Sequence, residues 1–148
     1  MLIPVKNAGF AIIDDEDYEL VNKYIWHVSH YGYAISGITF MHRLIMGLSI
    51  GDPDVDHIDG TKLNNQKNNL RLCTVAQNIR NSKICCRNKS GYKGVYWNKE
   101  RNRWTAQIKF HRKSTYIGHF KSIKDAALAY NKKAVELFGE FARLNNVP

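Results

Sequence analysis

The chain has 148 residues, 44% hydrophobic and 24% charged, with a formal net charge of +9. That composition excludes a disordered chain and allows one ordinary domain or two small ones. No apolar run approaches the roughly 20 residues that span a bilayer, so no membrane-spanning role is expected.

In chain order, the first fifty residues read as a small β-rich segment followed by a short helix. Phe10-Ala11-Ile12-Ile13 is a strand candidate, and Asp14-Asp15-Glu16-Asp17 an acidic turn that opens a helical turn through Leu20 and Val21. Tyr24 to Ser36 is rich in Tyr, Trp, Val and Ile around Gly32, which predicts a hairpin. Met41 to Met46 predicts a helix, with Gly47 near its end. Val55-Asp56-His57-Ile58 predicts a short strand, stopped by the Asp59-Gly60 turn. An Asn-rich loop runs from Asn64 to Asn69, and Leu70-Arg71-Leu72 predicts a second strand. Thr74 and Gln77 have the spacing of a capping box, which opens a helix carrying Asn78.

Residues 83–90 are basic and polar without a period, and read as a linker. Beyond it, Gly94-Val95-Tyr96-Trp97, Trp104 to Phe110 and Ser114 to Gly118 predict three strands. Ser122-Ile123-Lys124-Asp125 has the form of a second capping box, and the helix it opens ends at Gly139. The expected domains are therefore 1–82, a linker 83–90, and 91–148, and the fold class is α+β.

Charge divides unevenly along this plan. Residues 1–74 carry 6 Lys+Arg against 9 Asp+Glu, a net of −3, whereas residues 75–148 carry 16 against 4, a net of +12. A polyanion suits the second half as a partner. The N-terminus lacks a basic region followed by an apolar core, so a cytoplasmic location is expected. Three cysteines, Cys73, Cys85 and Cys86, form no CxxC pair; they read as reduced thiols, and no structural zinc is expected.

The chemistry concentrates at Asp56-His57. Asn69 follows His57 by twelve residues and Asn78 by twenty-one. A carboxylate and an amide oxygen suit a hard divalent cation, Mg²⁺ first and Mn²⁺ as the alternative. A neutral imidazole can take a proton from water near physiological pH. Adjacent strand residues leave opposite faces, so Asp56 and His57 can share a site only if the strand ends or bends there; the Asp59-Gly60 turn offers that ending. Asp59 itself reads as a turn former. Arg71 suits either a phosphate contact or a structural salt bridge. His27, His30, His111 and His119 lack neighbouring ligand types and read as ordinary.

This pattern resembles the HNH nucleases, whose site is a ββα-metal unit, and within them the phage-type homing enzymes. The resemblance implies His57 as general base, Asp56 and Asn78 as metal ligands, and Asn69 as a brace of the long loop, grouped with His57 in the catalytic set. The last position is Asn where the family name has His, a variant of the homing branch. Met41-His42-Arg43-Leu44 matches a recurrent upstream feature, which makes His42 a packing residue or a phosphate contact.

In the second half, basic and aromatic residues alternate on three strands backed by one helix. A small sheet of this kind can enter a DNA major groove. Lys93, Tyr96, Lys99, Arg101, Arg103, Gln107, Lys109, Arg112 and Lys113, with Trp97 and Tyr116, are the candidates, and Arg71 and His42 join them from the first half. Trp104, Ala106, Ile108 and Phe110 share a parity and are expected on the helix side, which sends Thr105, Gln107 and Lys109 to DNA. Gly94-Val95, Trp104 to Ile108, Ile117 to Phe120, Ala126 to Tyr130 and Ala142 to Asn145 resemble the APETALA/ethylene-response-factor type DNA-binding domain. The resemblance implies a three-stranded antiparallel sheet packed on one helix, with the sheet face on DNA.

The combined expectation is a sequence-selective, metal-dependent endonuclease on double-stranded DNA, of homing type, in a bacterial or phage-infected cell. One site cuts one strand, and no heptad pattern appears, so a nicking monomer is expected over a dimer. The rival is a non-catalytic DNA-binding regulator with a nuclease-derived fold.

Overall fold

The computed structural model describes residues 1–81, 84, 88–110 and 113–148. They form two compact units, Met1–Asn78 and Ile79–Pro148. Half of the expected linker, Lys83, Cys85, Cys86 and Arg87, lies outside the described residues, as do His111 and the DNA-contact candidate Arg112.

The first unit opens with a five-stranded sheet in the order β2-β1-β3-β4-β5. Its strands are β1 (Leu2–Lys6), β2 (Gly9–Ile12), β3 (Trp26–Val28), β4 (Ala34–Ser36) and β5 (Thr39–Phe40). The expected strand at Phe10 and the hairpin around Gly32 are both present. β1 is an addition: Pro4 disguises it, since proline cannot donate to a ladder. The strand tolerates it because the second neighbour, β3, pairs only with Val5 and Lys6, past the proline. Asn7 and Gly9 turn the β1–β2 hairpin at φ 65° and 86°.

Alternate residues of these strands, Ile3, Val5 and Ala11, turn inward. With Ile13, Val21, Trp26, Ala34, Met41, Ile45, Val55 and Leu70 they make one buried core. The Trp26 indole N–H finds the Val21 carbonyl at 2.9 Å, so its polar edge is satisfied inside that core. A 3-10 turn over Asp15–Asp17 leads into α1 (Tyr18–Val21), and α2 (Met41–Ile45) follows β5 directly.

The core therefore contains one face of the next motif. Strands β6 (Asp54–His57) and β7 (Leu70–Cys73) pair antiparallel, with Asp56 opposite Arg71 and His57 opposite Leu70. Helix α3 (Val75–Arg80) follows. Its N-terminal capping box forms: the Gln77 N–H donates to Thr74 Oγ1 at 3.3 Å and the Thr74 N–H to Gln77 Oε1 at 2.8 Å.

The loop between β6 and β7 is fastened to the N-terminal sheet rather than free. The Ile12 N–H donates to the Leu63 carbonyl at 2.8 Å, and the Asn65 N–H to the Ile12 carbonyl at 2.7 Å. The acidic run does more than turn the chain. Asp14 accepts from Gln66 Nε2 and from the Lys67 N–H, while the Lys67 ammonium pairs with Glu16 and Asp17.

The second unit is a three-stranded antiparallel sheet, β10-β9-β8, backed by α4 (Ile123–Phe138). The strands are β8 (Val95–Asn98), β9 (Arg103–Phe110) and β10 (Lys113–Phe120). Ala106, Ile108 and Val95 meet Ala126, Ala127, Tyr130 and Ala134 of the helix in its core. Gly94 allows that closeness: a Cβ there would lie 2.2 Å from the Tyr130 ring and 2.5 Å from the Gln107 carbonyl oxygen. Ser122 caps α4, but its side chain takes the Lys124 N–H, not that of Asp125. Asn88 and Ser90, read from sequence as linker, join a turn in which the Ser90 hydroxyl donates to the Val95 carbonyl at 2.7 Å.

Candidate functional site

Strand β6 ends at His57, where the Gly60 N–H closes a turn onto the His57 carbonyl at 2.8 Å. The expected strand ending is thus in place, and Asp56 and His57 are both buried beside it. Asp59 is a turn former: its carboxylate accepts from the Thr61 N–H at 2.6 Å, Asn64 Nδ2 at 3.0 Å and Asn69 Nδ2 at 3.0 Å. Burial works to raise its pKa, but these hydrogen bonds outweigh that and hold it below the ordinary carboxylate value.

Asn69 is the reciprocal half of this brace. Its Oδ1 accepts from the Asp59 N–H at 3.0 Å, and its Nδ2 also reaches the Asn64 carbonyl at 2.8 Å. It shapes the loop, tying Asp59 to Asn64.

The residue that does hold His57 is Asn65, which the sequence reading left inside an undifferentiated Asn-rich loop. It is fully buried, and its Oδ1 lies 3.2 Å from His57 Nε2. An amide oxygen only accepts, so Nε2 carries the proton and the lone pair sits on Nδ1. The other amide atom, Nδ2, points to Met41 Sδ at 3.4 Å, which supports that orientation. Burial lowers the pKa of His57 below its usual value, opposed by the Asn65 hydrogen bond and by Asp59 and Asp56. The imidazole is therefore neutral at physiological pH, the form a general base needs.

The rings of His42 and Tyr33 pack on it. The His57 ring centroid lies 5.2 Å from that of His42 and 5.7 Å from that of Tyr33, and Tyr33 and His42 are 5.1 Å apart. Phe40 packs on His42 at 5.5 Å. Of the two roles expected for His42, packing is the one its burial fits; its Nδ1 is buried with no hydrogen-bond partner, and its pKa falls to about 3 through burial, then His57 and Arg43. Arg43 holds the following loop, donating to the carbonyls of Ser49, Asp52 and Pro53.

Arg71 takes the salt-bridge role. Its Nε and Nη2 both donate to Asp56 Oδ2, at 3.0 and 2.7 Å. Asp54 lies on the same strand face as Asp56, opposite Cys73. Asn78, near the α3 N-terminus, lines a cavity of about 890 Å³ together with Tyr33, His42 and Asp54. The local field is negative: after burial, Asp56 and Asp54 are the next causes raising the pKa values of Tyr33 and of Cys73, the latter to about 11.

Among the described residues, no three His, Cys, Asp or Glu side chains converge as a metal cage. A cation here would rest on one carboxylate and one amide oxygen, a hard and sparse donor set. Mg²⁺ fits that set, because it keeps several waters and takes phosphate oxygens as further ligands. Two of the Arg71 bonds fall on Oδ2 of Asp56, and Asp54 and Asp56 make the surrounding field favour positive charge.

On the second unit, register sorts the DNA-contact candidates. Tyr96, Thr105 and His119 form one row across the sheet, and Gln107 pairs with Tyr116 beside it. Gln107, Lys109, Tyr96 and Tyr116 are exposed on this outer face, and Arg103 shares its parity. Thr105 departs from expectation: it is 1% exposed, its hydroxyl bonding His119 Nδ1 at 2.8 Å, and the Tyr116 ring packs on that imidazole. Lys99 and Arg101 stand exposed in the β8–β9 turn. Trp97 pairs with Trp104 on the helix side, with ring centroids 5.1 Å apart.

Two lysines are placed differently from the sequence reading. Lys113 pairs with Phe110, so it belongs to the helix side of the sheet. Lys93 is drawn inward: its ammonium donates to the Arg80 carbonyl at 2.6 Å, and burial, then Arg143, lowers its pKa to about 8.

Comparison with known proteins agrees with this geometry. Residues 39–80 match the HNH endonuclease family and residues 90–140 match the AP2 domain family. The chain is 36% identical over 146 residues to an uncharacterized HNH endonuclease of Acanthamoeba polyphaga mimivirus, covering 93% of this chain and 75% of that protein. It is 37% identical over 89 residues to protein 3.8 of Escherichia phage T7, covering 60% of this chain and 73% of that one.

Proposed function

The chain belongs to the HNH endonuclease family, and from that premise we propose a metal-dependent, sequence-selective DNA endonuclease of homing type that nicks one strand. The observation that carries the reading is His57: buried, neutral, and oriented through Nε2 by Asn65 at the end of a ββα unit.

In the proposed reaction, Nδ1 of His57 takes a proton from water. The water oxygen attacks phosphorus in line, the P–O3′ bond breaks, and the 3′ oxygen leaves to be protonated by solvent. Asp56 and Asn78 are the residues that would hold the cation. When bound, a divalent cation polarises the phosphate and stabilises charge on the departing oxygen. Asn69 and Asp59 keep the long loop in the shape that presents Asn65 to His57. Arg71 fixes the orientation of the Asp56 carboxylate by donating Nε and Nη2 to its Oδ2.

Target search falls to the outer sheet face of the AP2 domain. Tyr96, Arg103, Gln107 and Lys109 are the reading and phosphate-contacting residues there, with Lys99 and Arg101 on the adjoining turn. A single site and the lack of a heptad pattern support a monomer, and a cytoplasmic location accords with its substrate.

A supercoiled-plasmid assay with Mg²⁺, with EDTA, and with His57→Ala tests the reading. Open circles with Mg²⁺ alone, lost in the variant, are expected. Early linear product would replace nicking with paired sites. Intact plasmid with several metals and tight DNA binding retained would move the assignment to a DNA-binding regulator.

A further inference from the structure

We propose that Tyr33, carried by the N-terminal sheet ahead of the residues that match the nuclease family, is a positioning residue for the general base His57. The inference rests on the reading of His57 given above.

The hydrogen bond to Asn65 fixes one nitrogen of the imidazole, and the plane of the ring is set by the side chains packed against its faces. Catalysis needs the opposite nitrogen aimed, since small displacements of a reacting group cost large factors in rate. Tyr33 supplies a flat wall, with its ring centroid 5.7 Å from that of His57. It also touches His42 at 5.1 Å and Phe40 at 6.0 Å, so the rings make one packed group.

Tyr33 is itself held. Its N–H donates to Ser29 Oγ at 3.1 Å and its carbonyl accepts from the Ser29 N–H at 2.8 Å, which closes the β3–β4 hairpin. The Lys62 ammonium sits 4.5 Å from the Tyr33 ring centroid and donates to the Tyr31 carbonyl at 2.6 Å. Lys62 belongs to the same loop as Asn65. The Asn65 amide and the Tyr33 ring are therefore tied to each other as well as to His57. Residues 1–40 thus form part of the catalytic unit and are not a separate module.

The test uses the full chain with Tyr33→Leu and Tyr33→Phe, assayed for plasmid cleavage and DNA binding. Tyr33→Leu should lower kcat by ~10- to 100-fold while leaving Kd for DNA within about twofold. Tyr33→Phe keeps the wall and should recover to within about threefold of wild type. A second readout is independent of cleavage: two-bond ¹H–¹⁵N spectra of the histidine ring nitrogens. His57 should show the Nε2–H tautomer in wild type and Tyr33→Phe, and tautomer exchange in Tyr33→Leu.

Wild-type kcat with unchanged His57 signals in Tyr33→Leu would overturn the proposal. Equal defects in both variants would overturn it too, by placing the role in the hydroxyl. If Tyr33→Leu loses cooperative unfolding, Tyr33→Met, of similar volume but without a flat wall, is read by the same criteria. Cleavage surviving in His57→Ala would sink the catalytic reading alone, because the ring spectra still report whether Tyr33 holds His57.

Discussion

Replacing Asn65 by alanine removes the acceptor of the His57 Nε2–H while leaving the backbone bond from Asn65 N–H to the Ile12 carbonyl. Asn65 is fully buried and His57 is 4% exposed, so solvent does not readily replace the amide at Nε2. Leaving a buried donor unsatisfied costs ~1–3 kcal/mol. The imidazole can avoid that cost by rotating or by moving its proton to Nδ1, and either change spoils the lone pair that faces the water. If the whole amount appears in the barrier, kcat falls by ~5- to 150-fold. There is also a pH signature. Burial lowers the His57 pKa and the Asn65 hydrogen bond raises it, so Asn65→Ala should shift the acid limb of kcat to lower pH. The assay is single-turnover nicking of supercoiled plasmid from pH 5 to 8, with urea unfolding in parallel to confirm that the variant is folded. A folded Asn65→Ala protein with kcat within twofold of wild type and an unmoved acid limb would refute the role of Asn65.

Other consequences are independent of that one. The pKa of His42 is lowered from 6.5 to about 3, so between those values the unfolded chain binds a proton that the folded chain does not. Its contribution to stability is full above pH 6.5 and declines by about 1.4 kcal/mol per unit as pH falls towards 3. Urea unfolding at pH 5 should therefore show ~2 kcal/mol less stability than at pH 7 from this residue, and His42→Phe should remove that component. Gly94→Ala places a Cβ against Tyr130 and a carbonyl oxygen at φ +74°, which should destabilise the second unit by ~2–5 kcal/mol, read as a lower melting temperature and lost DNA binding. Lys109→Ala on the outer sheet face should weaken DNA binding and reduce the salt-dependence slope by about 1, measured by fluorescence anisotropy across salt concentrations; an unchanged slope would place DNA on another surface.

Short-range signals carried much of the architecture. The capping box at Thr74 and Gln77, the turn at Asp59-Gly60 and the strands β6 to β10 follow from spacing that acts within a few residues. Such interactions are legible because their partners are neighbours in the chain. Tertiary placement was legible only where a pattern repeats, as in the alternation of Trp104, Ala106 and Ile108, and failed where one side chain covers another. Thr105 has the parity of an exposed residue and is buried, because its hydroxyl bonds His119 on the next strand and Tyr116 packs on that imidazole.

By itself the sequence determined the ββα unit, the Asp56-His57 pair, the Asn78 helix and the basic three-stranded module, all through local propensity, turn chemistry and strand alternation. Only the tertiary structure decided which amide meets His57, which charge Arg71 meets, that Tyr33 packs on His57, and that the acidic turn at Asp14–Asp17 fastens the long loop. Those choices join residues up to 53 positions apart. Their free energy comes from excluding water between surfaces that meet only when the sheet, the long loop and β6 have packed, and no local spacing encodes such a meeting.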